Sequence, residues 1–291
     1  MIKNFLAILF ISITFSMSAQ EISFGFRAGL NFNRFIADSE TVGSEELEDF
    51  TNNTGFHVGA MFTWEATELM GLRAELLYNQ KGGRRSYDGP SYLVLSSTSG
   101  NTIITTGNRD QNLNVTSSYI DIPVTGYFKP IEQLEIFGGF NVGFLVATTA
   151  FGEVNYSDGR FGGASIEDFR FEIDGNYLSD GPGDASFSDP PKTITIGGNQ
   201  SAVIPSSAGV YVEFTEDMGN LYKIIDMGLV GGISVYLNGS LFVSARVNYG
   251  LTDITKTGAD VSLREKPNNE FLTRDDDDRN FSLQASVGFS F

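Results

Sequence analysis

Apolar and polar residues alternate one for one along eight separate stretches of this chain. In the last, NFSLQASVGFSF, Phe281, Leu283, Ala285, Val287, Phe289 and Phe291 share one face, while Ser282, Gln284, Ser286, Gly288 and Ser290 share the other. Successive strand side chains point to opposite sides of a sheet, so this period of two predicts strands with one oily and one polar face. The same period runs through ISFGFRAGLNFN, GFHVGAMFTWE, MGLRAELLYNQ, SSYIDIPVTGYF, LEIFGGFNVGFLV, IIDMGLVGGISVYL and SLFVSARVNYGLTD. Each stretch has about the 9–11 residues that a tilted strand needs to cross a bilayer.

The connections alternate as well. Short turns follow the second, fourth and sixth stretches, around Ala66–Leu69, at KPIEQ and at LNGS, where Asn238-Gly239 suits a type I′ hairpin. Long excursions follow the others, at 37–54, 81–114, 148–222 and 253–279. Short turns at one end and long loops at the other predict an all-β fold: an eight-stranded, antiparallel, transmembrane up-and-down β-barrel with periplasmic turns and extracellular loops. A soluble barrel with its apolar face inward is the structural rival. Three features oppose it. Eight strands leave little interior room for so many large aromatics. The polar face is rich in Gly, Ser and Asn, which suit a narrow lumen. Aromatics recur near strand ends (Phe24, Trp64, Tyr78, Phe128, Tyr249, Phe289), as girdles at the bilayer surfaces require.

The opening segment, MIKNFLAILFISITFSMSAQ, joins Lys3 to a short apolar run and then small residues, a secretory signal pattern. The expected organisation is a signal peptide at 1–19 and one barrel domain at 20–291. With 36 acidic against 19 basic residues and a net charge of −17, the chain is unsuited to nucleic acid. It has no cysteine, which excludes disulfides and thiolate metal sites.

ELLYNQKGGR, YIDIPVTGYFKP, FGGFNVGFLV, DMGLVGGISVYL and ARVNYGLTDI resemble segments of the outer-membrane β-barrel domain family of Bacteroidota, the PorT-like or porin-family barrels. The resemblance implies an eight-stranded outer-membrane barrel, in most members without an assigned activity. For the namesake it implies a part in a secretion system. The terminal Val287, Phe289 and Phe291 resemble the signal by which barrel assembly machinery recognises its clients.

Candidate chemistry is sparse. The sole histidine, His57, lies in the polar phase, and no GxSxG elbow accompanies it, so no enzyme and no cofactor are expected. Arg27, His57, Arg73, Glu75, Asp121, Asp226 and Arg246 share the lumen-facing phase. Charges in a narrow tube are costly unless paired, which predicts an ion-pair network filling the barrel rather than an ion path. The loops are acidic, as in DSETVGSEELED and RDDDDR; without EF-hand spacing they are read as solvated surface and not as a metal site. Lys81, Arg84 and Arg85, just beyond the third strand, are expected at the outer rim, in reach of lipopolysaccharide phosphates. The leading functional expectation is a non-enzymatic surface or structural protein acting through its loops, with outer-membrane lipid as surroundings and an unspecified envelope partner. A secretion accessory and a narrow channel are the alternatives.

Overall fold

The computed structural model describes residues 21–197 and 200–291. The expected signal peptide lies outside the described residues. Eight long strands form the framework: β1 (Glu21–Ile36), β2 (Asn53–Thr67), β3 (Met70–Ser97), β4 (Thr102–Ile131), β5 (Leu134–Phe161), β6 (Ile225–Tyr236), β7 (Leu241–Gly250) and β8 (Arg279–Ser290). Each pairs antiparallel with the next. β8 returns to β1, with Phe26 opposite Phe289 and Leu30 opposite Ala285, and this closes the ring. A ring has no unpaired edge, the condition a sheet must meet where no water is available to its backbone. The terminal residue takes part: Phe291 and Phe24 exchange backbone hydrogen bonds of 2.8 and 3.1 Å.

Over the lower part of the ring the apolar phase faces outward. Phe26, Leu76 and Phe140 are 58, 56 and 68% exposed, whereas Arg27 and Glu135 on the opposite phase are wholly buried. Such a surface is unstable against water and stable against hydrocarbon.

β3, β4 and β5 run far past the expected strand ends. The predicted excursion at 81–114 is mostly sheet: β3 continues to Ser97 and β4 begins at Thr102, leaving only 98–101 as a turn. Along this extension the chemistry of the two faces inverts. Leu93, Leu95, Ile103, Leu113 and Val115 are buried, and Arg84, Asp88, Asp110 and Asn112 are exposed. The outer surroundings have changed from oil to water, so the apolar residues turn inward. On β5 the register slips beside Ser118/Tyr119, and the buried positions pass from Leu145 to Thr148, Ala150, Val154 and Tyr156.

The long excursion after β5 folds onto this wall. Phe169–Asn176 pairs with β5, and the hairpin of Lys192–Gly197 and Gln200–Ile204 pairs with the tip of β3. Phe171, Ile173, Ile194 and Ala208 join Leu93, Leu113 and Val154 in one apolar core, forming a cap over the long-loop mouth. The LNGS turn departs from the type I′ expectation. Neither Asn238 nor Gly239 takes a positive φ. Instead Asn238 Oδ1 accepts the backbone N–H groups of Ser240 and Leu241 at 2.9 and 2.8 Å.

Candidate functional site: a charged lumen beneath a folded cap

Inward positions of the strands stack charged side chains at three levels. Nearest the short turns, Arg73 on β3 donates to both Glu135 oxygens on β5, at 2.7 and 2.8 Å. Tyr236 donates to the same carboxylate at 3.1 Å, and the Arg73 guanidinium lies 5.2 Å from the Tyr127 ring centroid. Beside this pair Tyr127, Phe137 and Val230 make a small apolar cluster. Phe242 is fully buried there too, against Gly288, where any side chain would strike its ring.

At the middle level Glu75 is shared. Arg27 and Arg246 each donate to one of its oxygens at 2.9 Å. Gln284 accepts from Arg246 and donates to Asn79 at 3.1 Å. The upper level has the opposite stoichiometry, with one cation between two acids. Lys81 Nζ lies 3.1 Å from Asp121 and 2.9 Å from Asp226, over the Tyr119 ring. Asn79 and Asn280 donate to the two carboxylates at 2.6 and 3.1 Å. These three levels hold four cations and four carboxylates, so the lumen is neutral overall although the middle level carries an excess cation and the upper an excess anion.

His57 lies beside the middle level and is brought within 2.6 Å of Asn31 Oδ1 and 2.8 Å of Ser286 Oγ. Asn31 Nδ2 donates to Asn79 and the Gln80 carbonyl, so its Oδ1 accepts from His57 Nδ1–H; the remaining Nε2 then accepts from the Ser286 hydroxyl, which itself accepts from Arg27. The neutral Nδ1–H tautomer satisfies every member. Sequence reading missed this Ser–His–Asn string, because Asn31 on β1 and Ser286 on β8 become neighbours only through ring closure. His57 and Asn31 are wholly buried, and Ser286 is 6% exposed.

Two expectations for the outer rim are overturned. Lys81 belongs to the upper lumen level and is 2% exposed, so it does not face lipopolysaccharide. Arg85 is committed to Glu48, which also takes Arg274 at 2.6 Å. The reason is parity: β3 does not end at Gln80, so its odd-numbered residues keep pointing inward. Arg84 alone of the three is exposed. The first loop is likewise less solvated than expected. Glu40 accepts from Ser262 Oγ and the Leu263 N–H at 2.5 and 3.0 Å, and Glu48 is buried between the two arginines. These acids clasp the first loop to the fourth. The arginines hold the Glu48 carboxyl below its ordinary range.

Within the fourth loop the Thr255 hydroxyl lies 3.0 Å from Asp260 and 3.2 Å from Asp278. Burial and the neighbouring Asp278 push the Asp260 carboxyl up to about 8. Among the described residues no group of three or more acids and histidines is arranged to hold a metal ion.

Closed ring, oily exterior and polar interior agree with what the chain matches in sequence: outer membrane protein beta-barrel domains, over residues 18–256. The chain belongs to that family. It is therefore an outer-membrane β-barrel protein, with its apolar belt in the bilayer. No curated protein matches it. Among solved structures it is similar to Ail, the attachment invasion locus protein of Yersinia pestis, at 11% identity over 93% of this chain and 99% of that one, with a TM-score of 0.35. Neisserial surface protein A matches at 13% identity over 93 and 99%, TM-score 0.35. OprG from Pseudomonas aeruginosa matches at 11% over 94 and 97%, TM-score 0.34. Likenesses this distant bear on neither ligand nor activity.

Proposed function

We propose that this outer-membrane barrel is a sealed, non-enzymatic protein whose working part is the folded cap, displayed outside the cell for recognition or for envelope structure. One observation carries the reading: every cation at the three lumen levels is spent on a carboxylate. An ion crossing the barrel must displace a buried pair, and a separated buried charge costs several kcal/mol. The ring of Phe242 and the Tyr127–Phe137–Val230 cluster support closure at the periplasmic end, and the cap core supports it at the outer end. The buried His57 string supports the non-enzymatic reading, since a nucleophile needs access as well as a base. A secretion-accessory role, which the PorT likeness implies, draws on no residue of the lumen or cap.

Recording from the purified protein in planar bilayers tests the reading. The expected trace is flat. Steady conductance at either polarity, abolished by closing substitutions at the mouth, overturns it in favour of a narrow channel.

A further inference from the structure

The cap contains two adjoining cavities that share the wall Val212–Glu213–Phe214. The inner has a volume of about 100 Å³ and is bounded by Tyr92, Arg109, Tyr177, Tyr211 and Phe271. The outer, about 230 Å³, is bounded by Leu95, Phe187, Val203 and Pro205. Phe187 is 48% exposed, an aromatic side chain left in water at the edge of the outer cavity.

The inner walls are ring surfaces. Tyr177 and Tyr211 meet edge to face at 5.9 Å, Tyr211 and Phe214 at 5.5 Å, and Phe214 stacks on Phe271 at 4.7 Å. Arg85, Arg109, Gln111 and Glu213 are the polar residues among them. Arg109 is 2% exposed; its Nη2 meets both Glu213 oxygens at 2.8 Å, and its Nη1 meets Gln111 at 3.3 Å. Its Nε–H is buried with no partner. A buried donor without a partner is costly, and an acceptor brought by a guest recovers part of that cost.

We propose that these cavities form a binding site for a small, neutral aromatic molecule with one hydrogen-bond acceptor, its ring among Tyr211, Phe214 and Phe271 and its acceptor on Arg109 Nε. Ring edges and faces favour a planar aromatic guest over a branched aliphatic one. An apolar cavity of about 150 Å³ accepts benzene; the inner cavity alone, about 100 Å³, is smaller than that, so the guest must extend past Phe214 into the outer one of about 230 Å³. Neutrality is favoured because the charged groups lining the inner cavity are already paired, Arg109 with Glu213 and Arg85 with Glu48, so an ionic guest has no free countercharge among them. The inference rests on the cap as the working part and not on the sealed lumen, so conductance and binding can fail separately.

The test is equilibrium dialysis of acetophenone and of ethylbenzene, its near-isostere without the carbonyl, against the full protein in lipid nanodiscs, with empty nanodiscs as blank. Acetophenone is expected to bind one saturable site, at least about tenfold more tightly than ethylbenzene. Val212→Trp, which fills the shared wall, is expected to abolish that binding. Should that variant not reach the folded, heat-modifiable form, Ala259→Leu on the opposite wall of the inner cavity replaces it. Uptake no greater than in empty nanodiscs, saturable binding unchanged by a folded wall variant, or equal affinity for the two compounds overturns the proposal.

Discussion

Arg73 and Glu135 face each other across the lumen through two parallel hydrogen bonds of 2.7 and 2.8 Å, though 62 positions separate them in the chain. Neither has water to fall back on, so each depends on the other for solvation. Glu135→Leu is expected to destabilise the barrel by about 3–5 kcal/mol, because the guanidinium is left buried and unpaired. Arg73→Met with Glu135→Leu should recover most of that loss, since removing both charges removes the desolvation cost. Urea unfolding in lipid vesicles measures all three. A double variant as unstable as the single one would mean that the pair itself, and not the stranded charge, sets the stability.

Gly288 on β8 has its missing Cβ within 2.1 Å of the Phe242 ring on β7. Gly288→Val is expected to lower the yield of closed, heat-modifiable barrel sharply by forcing β7 and β8 apart. Phe242→Ala in the same chain should restore it. Failure of that rescue would point to the terminal strand rather than the ring contact.

The clasp between the first and fourth loops runs through Glu48. Glu48→Gln leaves Arg85 and Arg274 facing one another without their shared anion. Trypsin should then cut after Arg274 faster than in the parent protein, with the barrel's own unfolding midpoint little changed. Unaltered cleavage would place the clasp elsewhere, at Glu40 and Ser262.

The fourth loop should tighten and loosen with pH in two directions. Asp260 titrates at about 8 in the folded cap against an ordinary 3.8, so the native state keeps a proton that the unfolded loop gives up. Its contribution is complete below the ordinary value and declines as pH rises toward about 8. Glu48, held below its ordinary 4.5, acts oppositely and is lost as pH falls through its lowered value. Amide exchange across 253–278, corrected for intrinsic rate, should be slowest in mild acid. Asp260→Asn should flatten the alkaline limb and leave the acid limb in place.

Period and turn lengths carried most of the fold. Which residues face oil follows from parity along each strand, and Arg27, Glu75 and Arg246 were marked for the interior by phase alone. Lys81 and Arg85 were expected in a long excursion beyond the third strand, but that strand continues to Ser97 and their odd positions keep the inward phase. The chain there had left the bilayer and not the sheet. Inward Leu93, Leu95, Ile103, Leu113 and Val115 held the signal, but it reads as a strand only once the surroundings are known to be water.

Sequence by itself determined a membrane barrel, its strand number and its inward charges, because a two-residue period is local and needs no partner to be read. Only the tertiary structure decided who pairs with whom. Lys81 with Asp226, Asn31 and Ser286 with His57, and Glu40 with Ser262 meet because ring closure, strand stagger and loop docking bring distant positions together, and none of these is encoded in neighbouring residues.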